Sequence, residues 1–116
     1  MAHDKTYNKT AIISHPYYDL VRETYKDDRN KPYESYTVQD NYRPEINRYG
    51  ISVFIEADNR NGVKQVVSWV VSIDGVSDRN ATGEFAEFAD VLAQISDLVK
   101  RIREYFESNG FAFVRV

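Results

Sequence analysis

The chain has 116 residues, a mass of 13.5 kDa and a formal net charge of −3. Its length predicts a single domain over residues 1–116, with residues 1–9 frayed. It contains no cysteine, which excludes disulfides, thiolate nucleophiles and cysteine-ligated metal sites and favours a reducing, cytoplasmic location. No apolar run approaches the ~20 residues of a membrane span, so we expect no membrane association.

The N-terminal third predicts short elements separated by polar loops. Residues 10–13 have the character of a weak strand, and residues 36–39 that of a further strand. Between them, Pro16 precedes apolar residues at helical spacing, which predicts a short amphipathic helix with the proline in its first turn. The apolar residues of that helix are Tyr17, Leu20, Val21 and Tyr25. Residues 27–31 and 40–48 are polar and are expected to form loops.

A β-hairpin is predicted next, because residues 51–57 and 63–73 both alternate apolar and polar side chains. A loop of two residues would split the apolar side chains between the two faces of the hairpin. A loop of three residues that ends at Gly62 would pair Ile55 with Val67 and keep the large side chains on one face. We therefore expect the three-residue loop.

A long amphipathic helix follows over residues 84–108 and ends before Gly110. Its apolar stripe consists of Phe88, Leu92, Ile95, Val99, Ile102 and Phe106, and it is widened on one flank by Phe85, Val91, Leu98 and Tyr105. At ~1.5 Å per residue the helix spans about 37 Å, so it either crosses the whole domain or overhangs it. An overhanging apolar end would favour a homodimer, and the alternative is that one sheet and the N-terminal segment cover the helix fully. Residues 111–116 predict a short final strand.

These elements predict an α+β fold in which a small antiparallel sheet of three to five strands packs against the long C-terminal helix, with a short N-terminal helix. The order helix, strands, helix resembles that of double-stranded-RNA-binding domains. Such domains need basic residues near the start of the second helix, where this chain has Glu84, Glu87 and Asp90. We therefore do not expect duplex nucleic acid as a partner.

Groups for catalysis or metal binding are few. His15 with Asp19 could act as a general base, but a helix-capping histidine beside a solvated carboxylate is the favoured interpretation. Asp58, Asp74 and Asp78 could bind a metal only if they converged, and solvated turn aspartates are favoured. We expect no enzyme activity, no cofactor and no metal.

The tyrosines provide the best indication of function. Eight of the nine lie before residue 50, whereas all six phenylalanines lie after it. Tyrosine and arginine are enriched at protein-binding hot spots, and residues 31–49 contain four tyrosines together with Lys31, Arg43 and Arg48. The candidate partner-binding residues are Tyr33, Tyr36, Tyr42, Arg43, Arg48 and Tyr49. The alternative is that these rings pack on the sheet with their hydroxyl groups in water.

These observations favour a non-enzymatic protein-binding module. Its small size and tyrosine-rich, cysteine-free composition are typical of phage or mobile-element accessory proteins, including inhibitors that occupy the surface of a host defence factor. The alternative is an oligomeric protein that binds or sequesters a small anionic, nucleotide-like ligand, with tyrosine and arginine side chains closing the site across a dimer interface.

Overall fold

The structure is a computed structural model that describes residues 5–73 and 82–114. Its elements are β1 (Lys5–Ile13), β2 (Tyr18–Lys26), β3 (Pro32–Asp40), α1 (Pro44–Tyr49), β4 (Ile51–Arg60), β5 (Val63–Ile73), α2 (Thr82–Ser108) and β6 (Ala112–Phe113). They form one six-stranded sheet in the order β1-β2-β3-β4-β5-β6, in which β1 to β5 pair antiparallel and β6 lies parallel to β5. The α+β class is confirmed. The prediction of an antiparallel sheet of three to five strands is wrong, because the sheet is larger and mixed.

The predicted N-terminal helix is also wrong, since its residues belong to β2. Leu20 is fully buried on the face that α2 covers, and Val21 is 3% exposed although it lies on the opposite face. Two adjacent apolar residues, buried on opposite faces of one strand, produce the same short pattern as one face of a helix. Without this helix, the resemblance in element order to double-stranded-RNA-binding domains is lost.

A short helix lies instead within the predicted loop over residues 40–48. α1 has Pro44 in its first turn, where a missing N–H costs no helical hydrogen bond. Gly50 ends the helix with φ 64°, a left-handed conformation that glycine adopts without strain. Ile46 and Tyr49 are buried, so this single amphipathic turn adds to the core.

The β4–β5 hairpin differs from the predicted register. Arg60 pairs with Val63 across a two-residue loop, and Ile55 pairs with Trp69 rather than with Val67. One extra residue, Val67, forms a β-bulge that moves the following side chains to the opposite face. The bulge therefore allows a tight two-residue turn and a single apolar face at the same time, which is why the three-residue loop is not needed.

The core lies between the sheet and α2. Five helix residues, at spacings of three and four, are at most 2% exposed: Val91, Ile95, Leu98, Ile102 and Phe106. On the sheet, Tyr36 contacts Phe106 and Phe111 edge-on, with ring centroids 5.8 and 5.2 Å apart. The predicted helix is confirmed, and the flank of its stripe that carries Val91 and Leu98 is buried together with Ile95, Ile102 and Phe106.

Candidate functional site

The far end of the sheet extends beyond α2. The helix ends beside Tyr36 and Lys64, whose ammonium group donates a hydrogen bond of 3.1 Å to the main-chain carbonyl of Asn109. From Tyr36, β3 continues to Pro32, which adds about 13 Å at ~3.3 Å per residue. This extension fits the elongated molecule, with extents of 56 × 29 × 23 Å.

The sequence-predicted residues do not form one surface. Tyr36 is 4% exposed and Tyr49 is fully buried, so both belong to the core. Burial raises the pKa of Tyr36 to about 12. Tyr49 packs against Phe88 with ring centroids 5.2 Å apart.

Three other predicted residues lie near α1. Arg43 Nε donates a hydrogen bond of 3.0 Å to the carbonyl of Pro16, and Arg48 forms an ion pair of 3.5 Å with Glu87. The two arginines therefore connect α1 to neighbouring segments. Tyr42 is 83% exposed and has a φ of 55°, which is uncommon for a residue other than glycine.

Tyr33 lies near the opposite end of β3, about 23 Å from Asp40 at ~3.3 Å per residue. Its ring stacks on Tyr25, with centroids 5.3 Å apart and an interplanar angle of 16°. The guanidinium carbon of Arg60 lies 3.6 Å from the centroid of the Tyr33 ring. All three side chains lie on the sheet face opposite α2, because strand side chains alternate between faces.

Hydrogen bonds on the same face fix this stack. The Tyr25 hydroxyl donates to one carboxylate oxygen of Glu23, and Gln39 Nε2 donates to the other at 3.4 Å. The strand pairs Tyr25–Tyr33 and Tyr33–Arg60 hold the three backbones in register. The stacked side chains are therefore ordered in the free protein, which lowers the entropic cost of binding.

Two clefts adjoin the stack. The first, of ≈540 Å³, is lined by Thr24, Lys31, Pro32, Tyr33, Glu34, Asn59, Asn61 and Gly62. The second, of ≈380 Å³, is lined by Asp27, Asp28, Arg29, Lys31, Arg60 and Asn61. Lys31 and Asn61 line both clefts, which therefore adjoin each other at the two turns. We call Tyr25, Lys31, Tyr33, Arg60 and Asn61 the hairpin-tip surface.

Asp27 shapes the β2–β3 turn. One of its carboxylate oxygens accepts hydrogen bonds of 2.9 Å from the main-chain N–H groups of both Arg29 and Lys31. These bonds, that of Lys31 first, lower the pKa of the Asp27 carboxyl group. The turn is thereby fixed by its own side chain, as is common for aspartate.

Tyr25 and Arg60 are not among the residues predicted from the sequence, because the local patterns predict a helix at Tyr25 and a loop at Arg60. The adjacent buried residues Leu20 and Val21 interrupt the alternation of apolar and polar residues through 18–26, so no clear local signal places Tyr25 on a strand. Arg60 meets Tyr33 only through the pairing of β3 with β4, which no local pattern predicts.

His15 stabilises the connection between β1 and β2 through hydrogen bonds. Its Nδ1 accepts a hydrogen bond of 3.1 Å from the Tyr17 N–H, while Asp19 Oδ1 accepts one from the His15 main chain rather than from its ring. Burial, followed by the charge of Arg101, lowers the pKa of His15. A hydrogen bond with the main chain of Gln94 and the charges of Asp97 and Asp19 oppose this shift.

We expect stability to fall as the pH decreases below about 6.5, because the unfolded chain then binds a proton that folded His15 resists. The contribution of His15 is complete above that pH. Urea unfolding of wild type and His15→Asn between pH 7.5 and 5.5, a range set about the histidine reference pKa, measures it. The variant should lose less stability than wild type over this range, and equal slopes would exclude the contribution.

Within the described residues no group of three or more histidine, aspartate or glutamate side chains is placed to hold a metal ion. Asp74 and Asp78 lie outside those residues. No helix of the described part is both long and apolar enough to cross a membrane. Comparisons with protein-family models, curated proteins and solved structures found no match to this chain.

Proposed function

We propose that this protein is a non-enzymatic protein-binding module that contacts its partner through the hairpin-tip surface. The observation that carries the proposal is the ordered stack of Arg60 on Tyr33 and of Tyr33 on Tyr25. Tyrosine and arginine dominate binding hot spots because each combines a large contact area with polar groups. A stack that is fixed before binding keeps more of that contact energy as affinity.

The shape of this end of the molecule supports the proposal. The two turns extend past α2, so a partner can reach both without contacting the helix. The first cleft lies beside the Tyr33 ring and can receive a side chain of the partner. Aromatic groups next to a cleft of this kind are typical hot-spot anchors.

The charges around the second cleft indicate the chemistry of the partner. Arg29, Lys31 and Arg60 line it together with Asp27 and Asp28. Three cationic side chains therefore line this cleft against two carboxylates, which leaves one net positive charge. We therefore expect the partner to present carboxylates. As part of the same proposal, the module acts in the cytoplasm and inhibits its partner by occupying its surface, as phage-type accessory proteins do.

The test is capture of a partner from host lysate by tagged wild type, by Tyr33→Ala/Arg60→Ala and by Arg43→Ala/Arg48→Ala. Two hot-spot truncations, at about 2 kcal/mol each, should reduce affinity by more than ~100-fold, so the tip variant should lose the partner. The second variant is the matched control, since its arginines lie at the other end of β3, and it should retain the partner.

Circular dichroism must first show that all three proteins fold. Equal retention by the tip variant, loss only in the Arg43/Arg48 variant, or no captured protein at several salt concentrations would each contradict the proposal.

A small anionic ligand is the second candidate, favoured by the first cleft. Its volume of ≈540 Å³ lies within the ~300–1,000 Å³ common for ligand sites. ATP at ~100 times its dissociation constant would stabilise the protein by about 2.7 kcal/mol. A thermal shift with ATP or pyrophosphate that disappears in Arg60→Ala supports this candidate, and no shift with either ligand excludes both as its ligands.

A further inference from the structure

The outer edge of β5 is the second notable surface. β6 pairs with β5 at Gln65 and Val66, and the Val114 N–H donates a hydrogen bond of 3.1 Å to the Val66 carbonyl. Among the residues that the structure describes, no strand pairs with residues 67–73 on that side. An edge of this kind presents unpaired N–H and C=O groups to another chain.

The two edges of the sheet differ in how they are protected. β1 carries Lys9 and has two irregularities in its pairing with β2, features that oppose pairing with another chain. β5 has one irregularity, at Val67, and its pairing with β4 is regular from Ser68 to Ile73. Residues 67–73 read Val-Ser-Trp-Val-Val-Ser-Ile and contain no charge, proline or glycine. The β5 edge therefore favours pairing with a further strand.

Apolar side chains are exposed on both faces of this edge. Phe54 and Val70 form a cross-strand pair on the face opposite α2 and are 52% and 50% exposed. Val71 and Ile73 lie on the α2 face and are 39% and 40% exposed. A strand added here would cover apolar surface on each face as well as satisfy the backbone.

We propose that this edge pairs antiparallel with the same edge of a second copy, with Val70 on the two-fold axis. Over the regular part of the strand, the residue classes read the same in both directions about Val70: serine at 68 and 72, and apolar at 69 and 71. An isologous interface requires such self-complementarity, because each residue before Val70 in one copy faces the residue equally far after Val70 in the other. The absence of charge removes repulsion between the copies.

The arrangement accounts for both exposed faces. On the open face, Phe54 and Val70 of each copy join into one apolar ribbon across four strands. On the other face, α2 turns one flank toward β5, because the Arg103 guanidinium carbon lies 5.0 Å from the Trp69 ring. Val99 and Leu92 lie four and eleven residues before Arg103, on the same flank, and are half-buried. That flank would pack beside its counterpart in the second copy. This homodimer leaves the hairpin-tip surface open, so it goes beyond the proposed function.

Light scattering should give a mass of twice 13.5 kDa for wild type. Because the chain has no cysteine, a single introduced thiol can show which residue lies on the two-fold axis. Directly opposed antiparallel residues have Cα atoms ~4.5–5.5 Å apart, within the range that a disulfide spans. Val70→Cys should therefore form a covalent dimer under mild oxidation.

Val63→Cys is the matched control, since Val63 is 54% exposed on the same strand but lies far from the axis. It should remain uncross-linked. Val70→Lys should be monomeric and Val63→Lys dimeric. A wild-type mass of 13.5 kDa at all protein concentrations, or cross-linking of Val63→Cys as fast as Val70→Cys, would overturn the proposal. If Val70→Lys does not fold, the comparison of cross-linking in Val70→Cys and Val63→Cys still tests the proposal.

Discussion

Replacing Ile95 with aspartate is expected to leave the protein unfolded. Ile95 is 2% exposed in the middle of α2 and belongs to the core that joins the helix to the sheet. Loss of a buried isoleucine alone costs ~2–5 kcal/mol, and an unpaired buried carboxylate adds to that cost. The sum is comparable to the ~5–15 kcal/mol by which a whole domain is stable. Circular dichroism and urea unfolding measure the effect.

Ser96→Asp is the control for this substitution. Ser96 is the next residue of α2 and is exposed, so the same new charge should change the free energy of unfolding by no more than ~0.5 kcal/mol. If Ile95→Asp unfolded at the same urea concentration as Ser96→Asp, the assigned buried face of α2 would be incorrect.

Tyr36→Ala should reduce the free energy of unfolding by about 3–5 kcal/mol, the usual cost of deleting a buried aromatic side chain. Tyr36 packs edge-on against both Phe106 and Phe111, so its removal opens a cavity between β3, α2 and the segment before β6. Urea unfolding of the variant tests whether this tyrosine is a core residue.

Tyr42→Ala provides the comparison, because both residues belong to the same candidate set but Tyr42 is 83% exposed. It should change stability by less than ~0.5 kcal/mol. Equal losses for the two variants would contradict the separation of this set into core and surface residues.

Composition alone could not distinguish the buried tyrosines from the exposed ones. Tyrosine is intermediate between core and surface residues, and its burial depends on which face of the sheet it occupies. Tyr33 and Tyr36 differ by three positions on one strand and therefore point to opposite faces. Only the assignment of β3 as a nine-residue strand determines which ring reaches the core.

The long helix could be predicted because its signals agree. Apolar residues recur every three or four positions over many turns, and Gly110 follows the last turn. β2 could not be predicted, because apolar residues buried on both of its faces interrupt the alternation of apolar and polar residues that marks a strand. The bulge at Val67 also has no local signal in the sequence. It allows a two-residue turn and a single apolar face in the same hairpin, and these two requirements conflict only once β4 and β5 are paired.

The hairpin-tip surface could not be predicted from the sequence for a related reason. Residues 25, 33 and 60 meet only when three strands adopt one register. Tyr25 and Arg60 lie on strand ends where the sequence predicts a helix and a loop. Long-range pairing of this kind is specified by the complete sheet rather than by neighbouring residues.

The most direct measurement is amide hydrogen exchange of the protein alone and in complex with its captured partner. If the hairpin-tip surface is the binding site, protection should increase in the β2–β3 turn over residues 27–33 and in the β4–β5 turn over residues 59–63. Residues 41–49 should exchange as they do in the free protein. Protection confined to residues 41–49, with both turns unchanged, would contradict the proposed binding surface.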